Sequence, residues 1–139
     1  MDWKLEVVIL PVADVDRAKN FYAEQVGFKV DVDHRAGETF RVVQVTPPGS
    51  ACSVTFGTGI GSDMRPGSVH GLHLIVNDVD AACRELTARG VEVGPIHHFE
   101  SGTSVEGPDP EHADYGTFSS FRDPDGNTWV LQEVGFTKS

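Results

Sequence analysis

The chain repeats itself, and that repeat constrains the fold more than any single motif. Sliding the sequence by 64 positions lays Val8-Ile9-Leu10-Pro11-Val12-Ala13-Asp14-Val15-Asp16-Arg17-Ala18 over Leu72-His73-Leu74-Ile75-Val76-Asn77-Asp78-Val79-Asp80-Ala81-Ala82. Asp14 falls on Asp78, Asp16 on Asp80 and Ala18 on Ala82. Each copy is an apolar run, an Asp-Val-Asp turn and then a helical pattern. Val15, Ala18, Phe21, Tyr22 and Val26 share one helix face in the first copy, as Val79, Ala82, Cys83 and Leu86 do in the second. Asp14 and Asp78 are placed to cap these helices, because a carboxylate accepts from the orphan N–H groups of a first turn. Gly27 and Gly90 are the expected left-handed stops.

Each half continues with strands. Short ones are expected at Phe28–Val32 and Val91–Val93. Phe40–Val45 then turns at Pro47-Pro48-Gly49-Ser50 into Ala51–Phe56, and Phe118–Phe121 turns at Asp123-Pro124-Asp125-Gly126 into Asn127–Val134. The fold class expected is therefore α+β, built from two β-α-β-β-β modules. Module one covers about 5–58, a linker rich in glycine about 59–69, and module two about 70–136. Gly49 and Gly126 lie 77 apart, 13 more than the repeat, so the second copy carries an insertion, placed at about 94–117. Structureless loops of that length are uncommon in compact domains, so the segment reads as a lid over a pocket or as a solvated insertion.

Lys and Arg number 11 and Asp and Glu 21, a formal charge of −10, which repels phosphate backbones and anionic membrane surfaces. Nucleic acid and membrane are thus excluded as expected partners. No apolar run approaches the roughly 18 residues that span a bilayer, and Met1-Asp2-Trp3-Lys4-Leu5-Glu6 is no signal peptide. Cys52 and Cys83 form no CxxC pair and read as thiols of a reduced, cytoplasmic protein. Nucleophile-elbow, P-loop and dinucleotide fingerprints are missing. Gly57-Thr58-Gly59-Ile60-Gly61 has no helix behind it and belongs to the linker.

The doubled unit, with Leu10 to Ala18 followed by Phe21-Tyr22, and with Phe121-Arg122-Asp123-Pro124-Asp125-Gly126-Asn127, resembles the vicinal-oxygen-chelate superfamily of glyoxalases, bleomycin-resistance proteins and dioxygenases. The resemblance covers nearly the whole chain. It implies a curved mixed sheet around a cleft that takes a small organic ligand, and it implies a homodimer. It also implies where a divalent metal is held in the enzymes of the family, and here those positions are Val7, Ser53, Gly71 and Val130. Val and Gly offer no side-chain donor and Ser is a poor ligand for such metals, so no metal or other cofactor is expected. The resemblance leaves three functions open: a metal-free protein that binds a small molecule and isomerises or eliminates it, a drug-sequestering protein, and a metal-dependent lyase or dioxygenase.

Strand alternation assigns faces. Ser53 and Thr55 in module one, with Thr128, Val130 and Gln132 in module two, are expected to face the ligand, and Trp129, Leu131 and Glu133 to face away. His73 shares the ligand face and is either a hydrogen-bonded core histidine or an acid/base. Arg41 is either an inward anion anchor or a rim salt bridge. His97 and Tyr115 are candidate ligand contacts on the insertion. Phe118 and Phe121 are either aromatic walls or core, and His112, among Asp109, Glu111 and Asp114, is expected to face solvent.

Overall fold

A computed structural model describes residues 1–139. The element order is β1 (Val7–Ile9), α1 (Val15–Asn20), a π-helical stretch (Phe21–Val26), β2 (Lys29–Ala36), β3 (Phe40–Thr46), β4 (Ser53–Thr58), β5 (Leu72–Val76), α2 (Val79–Ala88), β6 (His97–Glu100), β7 (Thr103–Glu106), β8 (Phe118–Arg122) and β9 (Thr128–Glu133). The fold is α+β, with a four-stranded sheet ordered β1-β4-β3-β2 and a five-stranded sheet ordered β5-β9-β8-β6-β7. In each sheet the first strand runs parallel to its neighbour and the remaining pairs are antiparallel.

The chain divides into two compact units. The first is Met1–Val69 together with Asp123–Asn127, and the second is His70–Arg122 together with Thr128–Ser139. The turn between β8 and β9 thus belongs to the first unit. Within that unit the Asn127 amide donates to the Pro11 carbonyl and accepts from the Val69 N–H. Tyr22, fully buried between Phe28 and Phe56, donates its hydroxyl to Asp123 at 2.7 Å. Arg17 and the Ala13 N–H both reach Asp125 Oδ1. Gly67 adopts a positive φ and packs so closely on the Asp125 carbonyl that a Cβ would lie 2.1 Å from its oxygen.

Both helices begin as the sequence indicates. Asp14 accepts from the Arg17 N–H and Asp78 from the Ala81 N–H, each three residues on. Gly27 sits at φ 91° and Gly90 at φ 85°, the left-handed conformation that ends a helix at little steric cost. The sequence carries no warning of the π-helical turns, in which Gly27 and Phe28 both donate to the Tyr22 carbonyl.

The insertion departs from expectation. Its first part is a β-hairpin, β6 and β7, joined by Ser101 and Gly102, both at positive φ as a tight two-residue turn demands. The short strand expected at Val91–Val93 shrinks to a single bridge between Val93 and Phe121. Gly94 passes so near Ser120 that a Cβ would meet its hydroxyl at 2.7 Å. The later part is moored to the end of β9. The Tyr115 N–H donates to the Glu133 carbonyl, Glu133 N–H to the Thr117 carbonyl, and Gly135 N–H to the Asp114 carboxylate.

His112 does not face solvent as expected. Its Nδ1–H donates at 2.6 Å to the fully buried Glu133 carboxylate, whose other oxygen accepts the Val79 N–H at the start of α2. The ring stacks on Phe136, centroids 3.6 Å apart. A buried carboxylate needs such donors, and the lone histidine within reach supplies one. No helix is long and apolar enough to cross a membrane. Neither cysteine is paired. Cys83 is buried, which raises its thiol pKa, and Cys52 is half-buried.

Candidate functional site: the open sheet faces

In the first unit, Val43, Val45, Val54 and Phe56 bury one side of the sheet, together with Ala18, Phe21 and Tyr22 of the helical segment. Register then assigns the other side. Val7 lies opposite Ser53, Ile9 opposite Thr55, and Thr55 opposite Gln44. Ser53 and Thr55 therefore stand on the open face, as expected. Ser53 is itself buried, because it belongs to a hydroxyl relay. Thr46 donates to the Asp31 carboxylate, so the Ser53 hydroxyl donates to Thr46 at 2.6 Å.

Arg41 stands on the other face. Its parity in β3 is that of Val43 and Val45, so it projects toward the helix and not onto the open face. There it holds Asp33 through two nitrogens and Asp16 through a third, and Lys19 holds Asp33 as well. Hydrogen bonds from Arg41 and then Lys19 depress the Asp33 carboxyl far below the ordinary carboxylate range, and Arg41 lowers Asp16 too. The guanidinium of Arg41 is raised in turn by Asp33 and Asp16. Of the two sequence alternatives, the geometry is that of the rim salt bridge. Arg41 also borders a surface cavity of about 280 Å³ with Asp14, Asp16, Arg35 and Glu38, but its donors are already committed to carboxylates.

In the second unit, Trp129, Leu131 and Glu133 are buried, whereas Thr128, Val130 and Gln132 lie half-buried on the open face. His73 pairs opposite Val130, and Ile75 opposite Gln132. Continuing the Gln132 row, Phe118 pairs with Gln132 and His97 with Phe118. The His97 ring stacks on Phe118 with centroids 5.6 Å apart and an 18° interplanar angle. Phe99 meets both rings edge-on, at 5.6 and 5.5 Å. Phe121, the other aromatic candidate, is core and stacks on Trp129.

Two imidazoles on this face have a fixed tautomer. A carbonyl can only accept, so the His73 Nδ1–H donates to Gly71 at 2.8 Å and the His97 Nδ1–H to Pro95 at 3.1 Å. Each Nε2 is left as an acceptor. Gln132 spends its amide on the Tyr115 carbonyl, which fixes Tyr115 beside β9 at φ 66° with its side chain exposed. Thr128 Oγ1 accepts from the Gly71 N–H and lies 3.3 Å from His70 Nδ1. His98, next to His97 in sequence, points the other way and is buried. Glu100 first, then the Gly107 carbonyl, hold its pKa above the ordinary histidine value. Sequence reading missed Phe99. Its signal was parity with His97, which becomes usable only once the hairpin is known.

The four positions implied for a metal do not fit one. Val7 and Ser53 face each other across β1 and β4, the Ser53 hydroxyl is tied to Thr46, and Gly71 and Val130 supply no donor atom. No group of three or more His, Cys, Asp or Glu side chains is gathered in a way that could hold a metal ion. No step is therefore routed through a metal.

The model of the Glyoxalase/Bleomycin resistance protein/Dioxygenase superfamily matches residues 4–131. The chain belongs to that superfamily. Among solved structures of this glyoxalase-type fold, TnmS3, an antibiotic-binding protein from Streptomyces sp. CB03234, is 33% identical, with 96% of this chain and 97% of that one covered and a TM-score of 0.73. A glyoxalase/bleomycin resistance protein from the same strain is 35% identical, with 94% and 100% covered and a TM-score of 0.70. A curated superfamily relative, the uncharacterized protein YetH of Bacillus subtilis (strain 168), is 28% identical over 134 residues, 94% of this chain and 98% of its own length.

Proposed function

We propose that this protein binds a small organic molecule by its open sheet faces and sequesters it, as a drug-binding member of the superfamily does. The carrying observation is the His97, Phe99 and Phe118 cluster. Three rings stand together on an open face, with Phe99 53% exposed, where no packing need of the fold accounts for them. Exposed Tyr115 and Ile75 add apolar surface, and Thr128 and Val130 line the same face. The Nε2 atoms of His73 and His97 accept hydrogen bonds from a ligand's N–H or O–H groups. On the first unit's open face, Ser53 and Thr55 supply hydroxyls. The likeness to an antibiotic-binding protein supports this reading, and the −10 charge favours a cationic ligand.

A second reading rests on His73. Its Nδ1–H is pinned to Gly71 and its Nε2 is free and exposed, the state a general base requires for metal-independent isomerisation or elimination. Titration with planar cationic aromatic drugs and with small carbonyl compounds, read by thermal shift, tests both. A drug-induced rise in Tm that Phe118→Ala abolishes and His73→Ala leaves intact supports sequestration. Turnover of a carbonyl compound that His73→Ala removes moves the assignment to the second reading. Failure of every drug to raise Tm overturns the first. The working form is a pair of copies in the cytoplasm, a state supported by a broad exposed apolar surface near the N-terminus.

A further inference from the structure

The extended segment before and through β1 is apolar at every odd position: Met1, Trp3, Leu5, Val7 and Ile9. All five are exposed, Trp3 at 87%, Leu5 at 72%, Val7 at 40% and Ile9 at 38%. The intervening residues Asp2, Lys4 and Glu6 are charged. β1 is the edge strand of its sheet. The Glu6 carbonyl accepts from the Ser53 N–H and the Leu10 N–H donates to the Thr55 carbonyl, so even-numbered residues turn their backbone toward β4. Along a strand successive residues turn their backbone groups to opposite sides, so the odd ones present theirs to the free edge. An edge that is both unpaired and apolar along one face is a template for another strand.

We infer that this edge pairs antiparallel with the same segment of a second copy, in a register centred on Leu5. The inference rests on the two-copy reading above and specifies its interface. A two-fold contact must centre on an odd residue, because only odd residues offer free backbone groups. Centring on Leu5 sets Trp3 opposite Val7, Met1 opposite Ile9 and Leu5 opposite itself, with every apolar side chain on one face. It also sets Lys4 opposite Glu6 twice, in the pairs where side chains lie closest. Centring on Trp3 would join only residues 1–5. Centring on Val7 forms no ion pair. At the far end, Ile9 borders a cavity of about 100 Å³ with Leu10, Ile60 and Met64, next to where Met1 of the second copy arrives.

Sedimentation equilibrium of the full chain is the test. The wild type is expected to be a dimer. Leu5→Glu, which sets two carboxylates opposite each other, weakens it by about 100-fold. Lys4→Glu weakens it about 10-fold, and Lys4→Glu with Glu6→Lys restores it. Circular dichroism and Tm at constant protein concentration confirm that each variant is folded. A wild type that stays monomeric up to about 200 µM overturns both this interface and the two-copy reading, and leaves the stripe to a different occupant. A dimer that tolerates Leu5→Glu, or that the double exchange fails to restore, overturns the interface alone.

Discussion

The open face of the first sheet is knitted together by hydroxyls and a carboxylate, from Ser53 through Thr46 to Asp31, whereas the open face of the second carries three rings with no hydrogen bond among them. Their covered faces are far more alike. Val43, Val45, Val54 and Phe56 play in one sheet the part that Phe121, Trp129 and Leu131 play in the other. Covered faces must fit a helix, and packing leaves them little latitude. Open faces answer to no such demand. Two copies of one plan can therefore keep the same core and present different chemistry, and it is the second that presents a surface suited to a flat, apolar ligand.

The sharpest break in this comparison is expected from exchanging the rings. Phe118→Ala weakens an aromatic drug about 30-fold in a fluorescence titration, whereas Ser53→Ala changes it less than about threefold. Next comes the covered side. Arg41→Met leaves drug affinity unchanged but lowers Tm by about 3 °C, since Asp16 and Asp33 lose their partner. Both carboxyls are depressed in the folded chain, so the stability they add is present above the ordinary carboxylate pKa and is lost as pH falls through that range. The variant's Tm should then fall less steeply in acid.

A smaller effect is expected at His98. Its pKa is raised on folding, so its contribution is complete below the ordinary histidine pKa and fades as pH rises through the folded value. Amide exchange in β6 and β7 should quicken on the alkaline side of neutrality, and His98→Gln should flatten that response. Glu100, Asp109 and the Gly107 carbonyl are the groups that act on the ring. The smallest effect is expected from Ser53→Ala on stability, a Tm change within about 2 °C, because Thr46 keeps its bond to Asp31.

Most of the architecture was legible because it is local. Asp14, Asp78, Gly27 and Gly90 mark helix ends by short-range chemistry, and period-two alternation gave the faces of β4 and β9. Arg41 was decidable on the same grounds, since it shares parity with Val43 and Val45. The β6–β7 hairpin was hidden by its glycine-rich surroundings, and its Ser101-Gly102 turn is a weaker signal than Asn-Gly. The pairing of His112 with Glu133 joins residues 21 apart through the tertiary fold, which no spacing rule reaches. The aromatic cluster was half legible. Phe118 could be named but not told from core, and Phe99 depended on the hairpin.

The turn at Asp123–Asn127 carries a further consequence, for how the molecule is made. A chain growing from its N-terminus completes the sequence of the first repeat by about residue 69, yet the first unit still lacks five of its residues. Until residue 127 of 139 has emerged, the Pro11 carbonyl and the Val69 N–H have no Asn127, and the Tyr22 hydroxyl has no Asp123. The first half of the gene product therefore waits for nearly all of the second. No single cut between the repeats can release it whole.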